Sequence, residues 1–236
     1  MASQSTITSM APTRWDAKVI GRQRLQRQLA CLQAPHRCPE GVYLRPDAQD
    51  AFRFHGVVFV RTGSYAPGVF RFSIQFTMVD EQLALPTVFF PPILMHPIVE
   101  PATGRLNLLP YLATTSDKPG AADPDHPHFV QHLLTFLHDC FQPALLAELQ
   151  QQWVLNDRMF HLFSADPSLF DRLAKQSATL STSPLALYDT QSGSGVPGDM
   201  DVTVASSEDQ PRLDSVMPFE PLRPSDVARI RDSLVL

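Results

Sequence analysis

The stretch that decides the fold of this chain is His96-Pro97-Ile98-Val99-Glu100-Pro101-Ala102-Thr103-Gly104-Arg105-Leu106-Asn107-Leu108. Gly104 is typical of a tight turn, because glycine alone adopts the left-handed backbone without steric cost. Asn107 lies inside a short apolar run, and its amide is not a nucleophile. The side chain of Ile98 cannot donate a hydrogen bond. The stretch therefore has the residues of an ordered turn but no group suited to covalent chemistry.

The three cysteines of the chain do not supply the missing nucleophile. No cysteine lies between Cys38 and Cys140, so no thiol is close to residue 107 in the sequence. Cys140 falls on an apolar helical pattern with Phe136 and Phe141, which predicts a buried and inert thiol. The sequence therefore offers no reactive thiol near residue 107.

Composition limits the class of protein. The chain has 236 residues, is 44% hydrophobic and has a net charge of −5, which suits one domain with extensions. We expect no nucleic-acid partner, because no strongly basic patch is present. The apolar runs are too short to cross a bilayer, which predicts no direct membrane insertion. The odd, unpaired cysteines and polar N-terminus favour a cytoplasmic setting, and no cofactor motif is present.

Periodicity predicts an α+β fold. A helix is predicted over residues 12–33, with an apolar stripe of Trp15, Val19, Leu25, Leu29 and Leu32. Strands are predicted at 41–45, 52–61, 69–76 and 87–90, the third from strict alternation of phenylalanine and isoleucine with polar residues. Helical spacing returns at 129–141 and continues through 144–163 and 167–180. The order of elements is an N-terminal helix, a four-stranded antiparallel meander and C-terminal helices.

Domain boundaries follow changes in composition. Residues 1–12 are rich in Ser and Thr and are predicted to be flexible, and residues 13–180 form the domain. Residues 181–216, rich in Ser, Gly, Pro and Asp, are predicted to be a disordered linker. Residues 217–236 end in a short amphipathic helix with Val227, Ile230 and Leu234 on one face. This face could dock on the chain's own domain or on a partner coiled coil, and the sequence favours neither.

Histidines cluster near the start of the predicted helix at residue 129. His128 and His132 are four residues apart, a spacing that can place two metal ligands on one helix face, and His126 lies just before them. No Cys or carboxylate completes a ligand set. We therefore predict ordinary solvated histidines and no metal site.

Several motifs resemble those of ubiquitin-conjugating domains, and they occur in the right order. Residues 54–59 and 62–70 are similar to the second strand, the Gly/Pro turn and the third strand of such domains. Residues 85–90 resemble the fourth strand, and residues 153–160 resemble a late helix. The resemblance spans residues 15–180 and implies a ubiquitin-conjugating-enzyme-like fold.

The catalytic residues of that family are not matched. Its active members have a His-Pro-Asn triplet followed by the catalytic cysteine, whereas here the triplet is His96, Pro97 and Ile98, and Asn107 stands at the cysteine position. The resemblance therefore implies a degenerate site, with no catalytic residue, at these four positions. The His-Pro pair is expected to shape the turn.

Within inactive members, the chain resembles the fused toes (AKT-interacting protein) family through residues 41–46, 54–61 and 96–106 and a tail motif at 218–229. The resemblance implies a non-catalytic subunit of a dynein adaptor, with a Hook-family coiled-coil protein and a Hook-interacting scaffold protein as partners. Such a subunit would sit on vesicles or early endosomes through these partners and reach dynein and dynactin indirectly. The candidate partner-binding residues are Trp15, Val227, Ile230 and Leu234. An alternative is a ubiquitin-binding variant that partners an active conjugating enzyme.

Overall fold

The structure, a computed structural model, describes residues 14–188 apart from residue 119. One turn of 3-10 helix lies at Gln151–Trp153 between α4 and α5. The other elements, in chain order, are α1 (Arg14–Leu32), β1 (Val42–Pro46), β2 (Arg53–Val60), β3 (Gly68–Gln75), β4 (Met78–Val79), β5 (Gln82–Leu83), β6 (Thr87–Phe89), α2 (Leu109–Thr114), α3 (Phe129–Asp139), α4 (Pro143–Glu148), α5 (Asp157–Ala165), α6 (Pro167–Ser181) and α7 (Pro184–Tyr188). One compact unit ends at Ser183, and α7 begins a second unit.

A four-stranded antiparallel sheet with strand order β1-β2-β3-β6 forms the centre of the first unit. β2 and β3 pair along eight residues, from Arg53 opposite Gln75 to Val60 opposite Gly68. A small second hairpin, β4 and β5, interrupts the chain between β3 and β6. The sequence did not predict this hairpin, because its strands are too short to show an alternating pattern.

The alternating side chains of β3 face the core, as predicted. Phe70, Phe72 and Ile74 are at most 4% exposed, whereas Arg71 between them is exposed. The ring of Phe70 stacks on that of Phe141 with centroids 5.1 Å apart, which ties the sheet to the segment after α3. The alternation that predicted this strand therefore places its phenylalanines in the core.

The buried face of α1 differs from the predicted stripe. Val19 is 54% exposed, whereas Gly21, Leu25 and Gln28 are buried. The prediction was wrong for Val19, because it lies six positions before Leu25 and six positions turn a helix well away from the starting face. Leu25, Leu29 and Leu32 pack in or against the core, as predicted. Gln28 is a polar member of the buried face, which a search for apolar residues alone overlooks.

The side chain of Gln28 fastens α1 to the start of α3. Its Nε2 donates to the carbonyl oxygen of Pro124 at 2.7 Å, and its Oε1 accepts from the backbone N–H of Val130 at 3.2 Å. Both ends of a buried amide are thereby satisfied. Arg24 adds an ion pair to Asp125 at 2.8 Å on the same helix face.

The prediction of one continuous helix over residues 144–163 is wrong. The chain leaves α4 at Glu148, forms the 3-10 turn and becomes extended at Val154 before α5. The side chain of Asn156 accepts from the backbone N–H of Met159 at 3.2 Å and so begins α5. Hydrophobic spacing does not show where a new helix begins inside an apolar segment. Helix α2 was also missed, because six residues are too few to show a helical period.

The described elements form the predicted α+β architecture, an N-terminal helix, a four-stranded antiparallel sheet and C-terminal helices. This architecture is consistent with a ubiquitin-conjugating-enzyme-like fold, which confirms the predicted fold class. In the described part of the chain, no helix combines the length and apolarity needed to cross a membrane. The domain boundaries at residues 12, 180 and 216 stay predictions.

We expect Gly104→Ala to destabilise the protein by about 2–3 kcal/mol. Gly104 has φ of +74°, and an added Cβ would collide with the backbone carbonyl of Phe90. Gly63→Ala is the matched control, since Gly63 has φ of +83° but its Cβ would come no closer than 3.3 Å to the ring of Pro143 and 3.6 Å to the carbonyl oxygen of Phe141. The control should cost about 1 kcal/mol, the backbone term alone. Urea unfolding of both variants measures the difference, and equal losses would contradict the predicted collision.

Candidate functional site

The imidazole of His96 lies at the centre of the candidate site and is fully buried. Its Nε2 is 2.9 Å from the carbonyl oxygen of Cys140, and its Nδ1 accepts from the backbone N–H of Ile98 at 3.4 Å. These partners place the proton on Nε2, which donates to Cys140. The ring also packs on Tyr65 and Phe141, with centroids 5.2 and 5.4 Å away.

Burial holds His96 in the neutral form. Desolvation lowers its pKa to about 4, against the opposing effect of the hydrogen bond to Cys140. A neutral ring with both nitrogens occupied cannot exchange protons with a substrate. His96 therefore joins the segment at residue 96 to the end of α3, as a structural role requires.

The carbonyl oxygen of Pro97 joins the site to the helical half of the domain. It accepts from the backbone N–H groups of Leu155 and Asn156 at 3.0 and 2.9 Å. Two donors on one oxygen satisfy the backbone where the chain has left helical structure before α5. The sequence reasoning missed this contact, and the signal for it was the cap residue Asn156.

Ile98 is fully buried and takes part in the site through its backbone. Its carbonyl oxygen accepts from the backbone N–H of Asn107 at 2.8 Å. The neighbouring residues Val99 and Leu106 form an isolated antiparallel bridge, so the stretch from 98 to 107 folds back on itself. Its turn is closed by Gly104, whose N–H donates to the carbonyl of Glu100 at 2.8 Å.

The amide of Asn107 is engaged at both ends. Its Nδ2 donates to the carbonyl oxygen of Trp153 at 2.8 Å, and its Oδ1 accepts from the backbone N–H of Leu109 at 2.9 Å. The second bond forms an Asx turn that leads into α2. Asn107 therefore connects the turn, α2 and the 3-10 turn.

The thiol of Cys140 is unsuited to covalent chemistry. It is 1% exposed, and its Sγ donates to the carbonyl oxygen of Leu137 at 3.3 Å. Desolvation, followed by the charge of Asp139, raises its pKa far above the ordinary value, so the reactive thiolate is not populated near neutral pH. The prediction that Cys140 is buried is confirmed.

A cleft of about 320 Å³ is lined by residues of α2, of α4 and of the 3-10 turn. Its walls include Pro110 on α2, Leu145 and Leu149 near α4, and Trp153, whose carbonyl holds the Asn107 amide. Glu148 at its rim is the one titratable residue of this lining. The cleft is suited to apolar contact and offers no acid–base pair.

The histidine cluster is placed apart from this site, before and within α3. The Nδ1 atoms of His128 and His132 are buried without a hydrogen-bond partner. Burial lowers the pKa of His132, with smaller contributions from Lys118 and the neighbouring histidines. Over the described residues, no group of three or more His, Cys, Asp or Glu side chains is arranged to hold a metal ion.

The predicted partner-binding residues are not brought together in the described region. Trp15 lies in the first turn of α1, and its side chain is outside the described part of the structure. Val227, Ile230 and Leu234 also lie outside the described residues. The structure therefore does not test the binding role of these four residues, which stays a prediction. The assignment of His96, Pro97, Ile98 and Asn107 as a degenerate catalytic site also stays a prediction.

Curated proteins with similar sequences fall in one group. The chain is 41% identical over 69 residues to a protein crossbronx homolog of Anopheles gambiae, covering 29% of this chain and 30% of that protein. It is 37% identical over 68 residues to a protein AKTIP homolog of Nematostella vectensis, covering 29% and 23%. It is 34% identical over 68 residues to an AKT-interacting protein of Danio rerio, covering 29% and 23%. No family model matches the chain.

These relatives confirm the predicted resemblance to the fused toes (AKT-interacting protein) family. The match spans less than a third of the length of each of the three relatives, between 23% and 30%. Relatives that match over a third of their length, such as a protein crossbronx-like of Drosophila virilis at 33% identity and 37% coverage, have names of the same group.

We expect the titration of His96 to make the fold sensitive to acid. Its pKa is about 4 in the folded protein and near 6.5 when unfolded, so its contribution to stability is complete above 6.5 and is lost as pH falls towards 4. Between pH 7 and pH 5 this term removes about 2 kcal/mol. Urea unfolding at both pH values should show a smaller decrease for His96→Phe than for the original chain, and equal decreases would contradict the assignment.

Replacement of Asn107 should separate its two hydrogen bonds. Asn107→Ala removes both, and we expect a loss of about 2 kcal/mol in the free energy of unfolding. Asn107→Ser keeps a hydroxyl that can accept from Leu109 but is too short to reach the Trp153 carbonyl, and should lose about half as much. Denaturant unfolding compares the two variants, and identical losses would show that the Asx turn contributes nothing.

Proposed function

We propose that this chain is a non-catalytic subunit of a Hook-type dynein adaptor complex that links vesicles or early endosomes to microtubule motors. In this proposal its partners are a Hook-family coiled-coil protein and a Hook-interacting scaffold protein, with dynein and dynactin reached indirectly. The similarity to proteins named AKT-interacting protein and crossbronx supports the family, and through the family the adaptor role.

The observation that carries the non-catalytic part of the proposal is the engagement of Asn107. Thioester formation needs a thiolate at this position and a donor near the developing oxyanion. Here the position holds an amide bound at both ends, and the residue that should offer the donor is the buried apolar Ile98. Retention of the turn without its chemistry favours a protein that acts through its surface.

The role of the domain in the proposal is to present binding surfaces. A protein interface usually depends on a few apolar or aromatic side chains that fill pockets on the partner. The candidates for these side chains are Trp15 near the start of α1 and the predicted C-terminal face of Val227, Ile230 and Leu234. Localisation in the cytoplasm and on vesicles would follow from the partners.

The second candidate function is a ubiquitin-binding variant that partners an active conjugating enzyme. It is supported by the turn itself, since His96 and Pro97 keep the segment ordered although Ile98 and Asn107 do not match the catalytic residues of conjugating enzymes. The two functions predict different binding partners, which can be identified by purifying the tagged protein from cells.

Affinity purification of the tagged full-length chain with mass spectrometry tests the proposal. We expect co-purification of a Hook-type coiled-coil protein and its scaffold, and its loss when Val227, Ile230 and Leu234 are all changed to Asp, because charges cannot enter an apolar interface. The matched control is Val79→Asp, an apolar residue that is 57% exposed on β4, which should leave recovery unchanged.

Other outcomes contradict the proposal in different parts. Recovery of ubiquitin or a conjugating enzyme without the coiled coil would favour the second candidate function. A thiol-sensitive ubiquitin adduct formed in the presence of activating enzyme would contradict the non-catalytic assignment. Recovery that is insensitive to the C-terminal changes would remove Val227, Ile230 and Leu234 from the interface.

A further inference from the structure

A groove of about 550 Å³ runs between α1 and β1. β1 is one edge strand of the sheet, and β6 is the other. α1 contributes Leu29 and Leu32 to its walls, and β1 contributes Val42, Leu44 and Pro46. Leu29 and Leu44 are partly exposed although they pack against the core. The groove is thus lined mainly by apolar side chains that a partner could cover.

The edge of β1 is poorly suited to receive another strand. Tyr43 and Arg45 belong to the hydrogen-bonded pairs with β2, which leaves the polar groups of Val42, Leu44 and Pro46 directed to the free edge. The N–H of Val42 already donates to Pro39, and its carbonyl accepts from the thiol of Cys38 at 3.2 Å. Pro46 has no N–H, so Leu44 alone offers both a donor and an acceptor.

The dimensions of the groove suit a helix. Five residues of β1 extend about 16 Å. A helix of about three turns has that length and can place apolar side chains at i, i+3 and i+7 into a groove. A helix forms its own backbone hydrogen bonds, so it needs no hydrogen-bond partner from the free edge of β1.

The segment of the chain that contains both walls of the groove is rich in basic residues, which favours an acidic partner. Between residues 14 and 76 the chain has ten Lys or Arg and four Asp or Glu, a formal charge of +6, whereas residues 77–188 have five and eleven, a charge of −6. Glu40, the acidic residue of the groove lining, is paired with Arg61 at 2.6 Å. Arg22 is exposed on α1 seven residues before Leu29, and therefore on the same helix face.

We propose that the groove between α1 and β1 binds an amphipathic helix whose apolar stripe is flanked by acidic residues. Leu29 and Leu44 contact the stripe, and Arg22 faces the acidic flank. The inference rests on the proposed function, which has a helical partner. It adds the surface of this chain that binds the partner helix and the negative charge that the partner helix carries. It differs from the C-terminal candidates in being formed by described residues.

The test uses three synthetic 14-residue peptides and the full-length chain, with binding followed by fluorescence polarisation. The first peptide has leucines at i, i+3, i+7 and i+10 with glutamates beside them, the second has lysines in place of the glutamates, and the third is a scrambled form of the first. We expect the glutamate peptide to bind at least about tenfold more tightly than the other two, and to weaken as salt is added.

Three variants of the full-length chain locate the contact. Leu44→Glu should weaken binding of the glutamate peptide by about tenfold or more, because it puts a charge into the apolar groove. Arg22→Glu, on an exposed helix position that leaves folding intact, should weaken the glutamate peptide and strengthen the lysine peptide. Arg158→Glu is the matched control, an exposed charge reversal on α5, and should change neither.

The outcomes separate this inference from the proposed function. Equal binding of all three peptides, no binding of any, or binding unaffected by Arg22→Glu would overturn the groove assignment. If the Arg22→Glu and Leu44→Glu variants co-purify the coiled-coil protein from cells at the original level, the groove assignment is also overturned, while the adaptor role stands. Peptide binding as expected without any coiled coil recovered would support the groove and reject the adaptor role. Self-association abolished by Leu44→Glu in sedimentation would assign the groove to a second copy and overturn the helix partner.

Discussion

The hydrogen bond between the buried imidazole of His96 and the carbonyl of Cys140 is the constraint on which the candidate site depends. It joins the turn at residue 96 to the end of α3 across 44 residues of sequence. The adjacent Pro97 carbonyl then holds the start of α5, and the Ile98 carbonyl holds Asn107. The ring is neutral, fully buried and hydrogen-bonded on both nitrogens, so it holds this position without exchanging its proton.

Much of the fold could be predicted from the sequence, because its strongest signals come from packing. The alternation in β3 gave a strand with Phe70, Phe72 and Ile74 inside, and the apolar spacing after residue 129 gave α3. The errors have different physical causes. Val19 lies six positions before Leu25 and so on another face of α1, and the strands of the small hairpin have two residues each, too few to show alternation. The break before α5 depends on the Asn156 cap, a polar contact that hydrophobic periodicity does not contain.

The candidate site could be predicted in its chemistry but not in its connections. Sequence alone gave an amide at residue 107 and an apolar residue at 98, and hence a site without a nucleophile. The contacts of Asn107 with Trp153, and of Pro97 with Leu155, join residues more than 40 positions apart. No local pattern specifies such pairs, so the structural role of the turn appears only when the helical half is packed against it.

The double engagement of Asn107 also limits which residues the fold tolerates at position 107. A single replacement by cysteine would provide a thiol but would leave the Trp153 carbonyl and the Leu109 N–H without their partner. A thiol at residue 107 would therefore cost stability, because neither partner would keep its hydrogen bond to the amide. The amide is thus part of the scaffold, and any other residue at position 107 must either replace both hydrogen bonds or lower the stability of the fold.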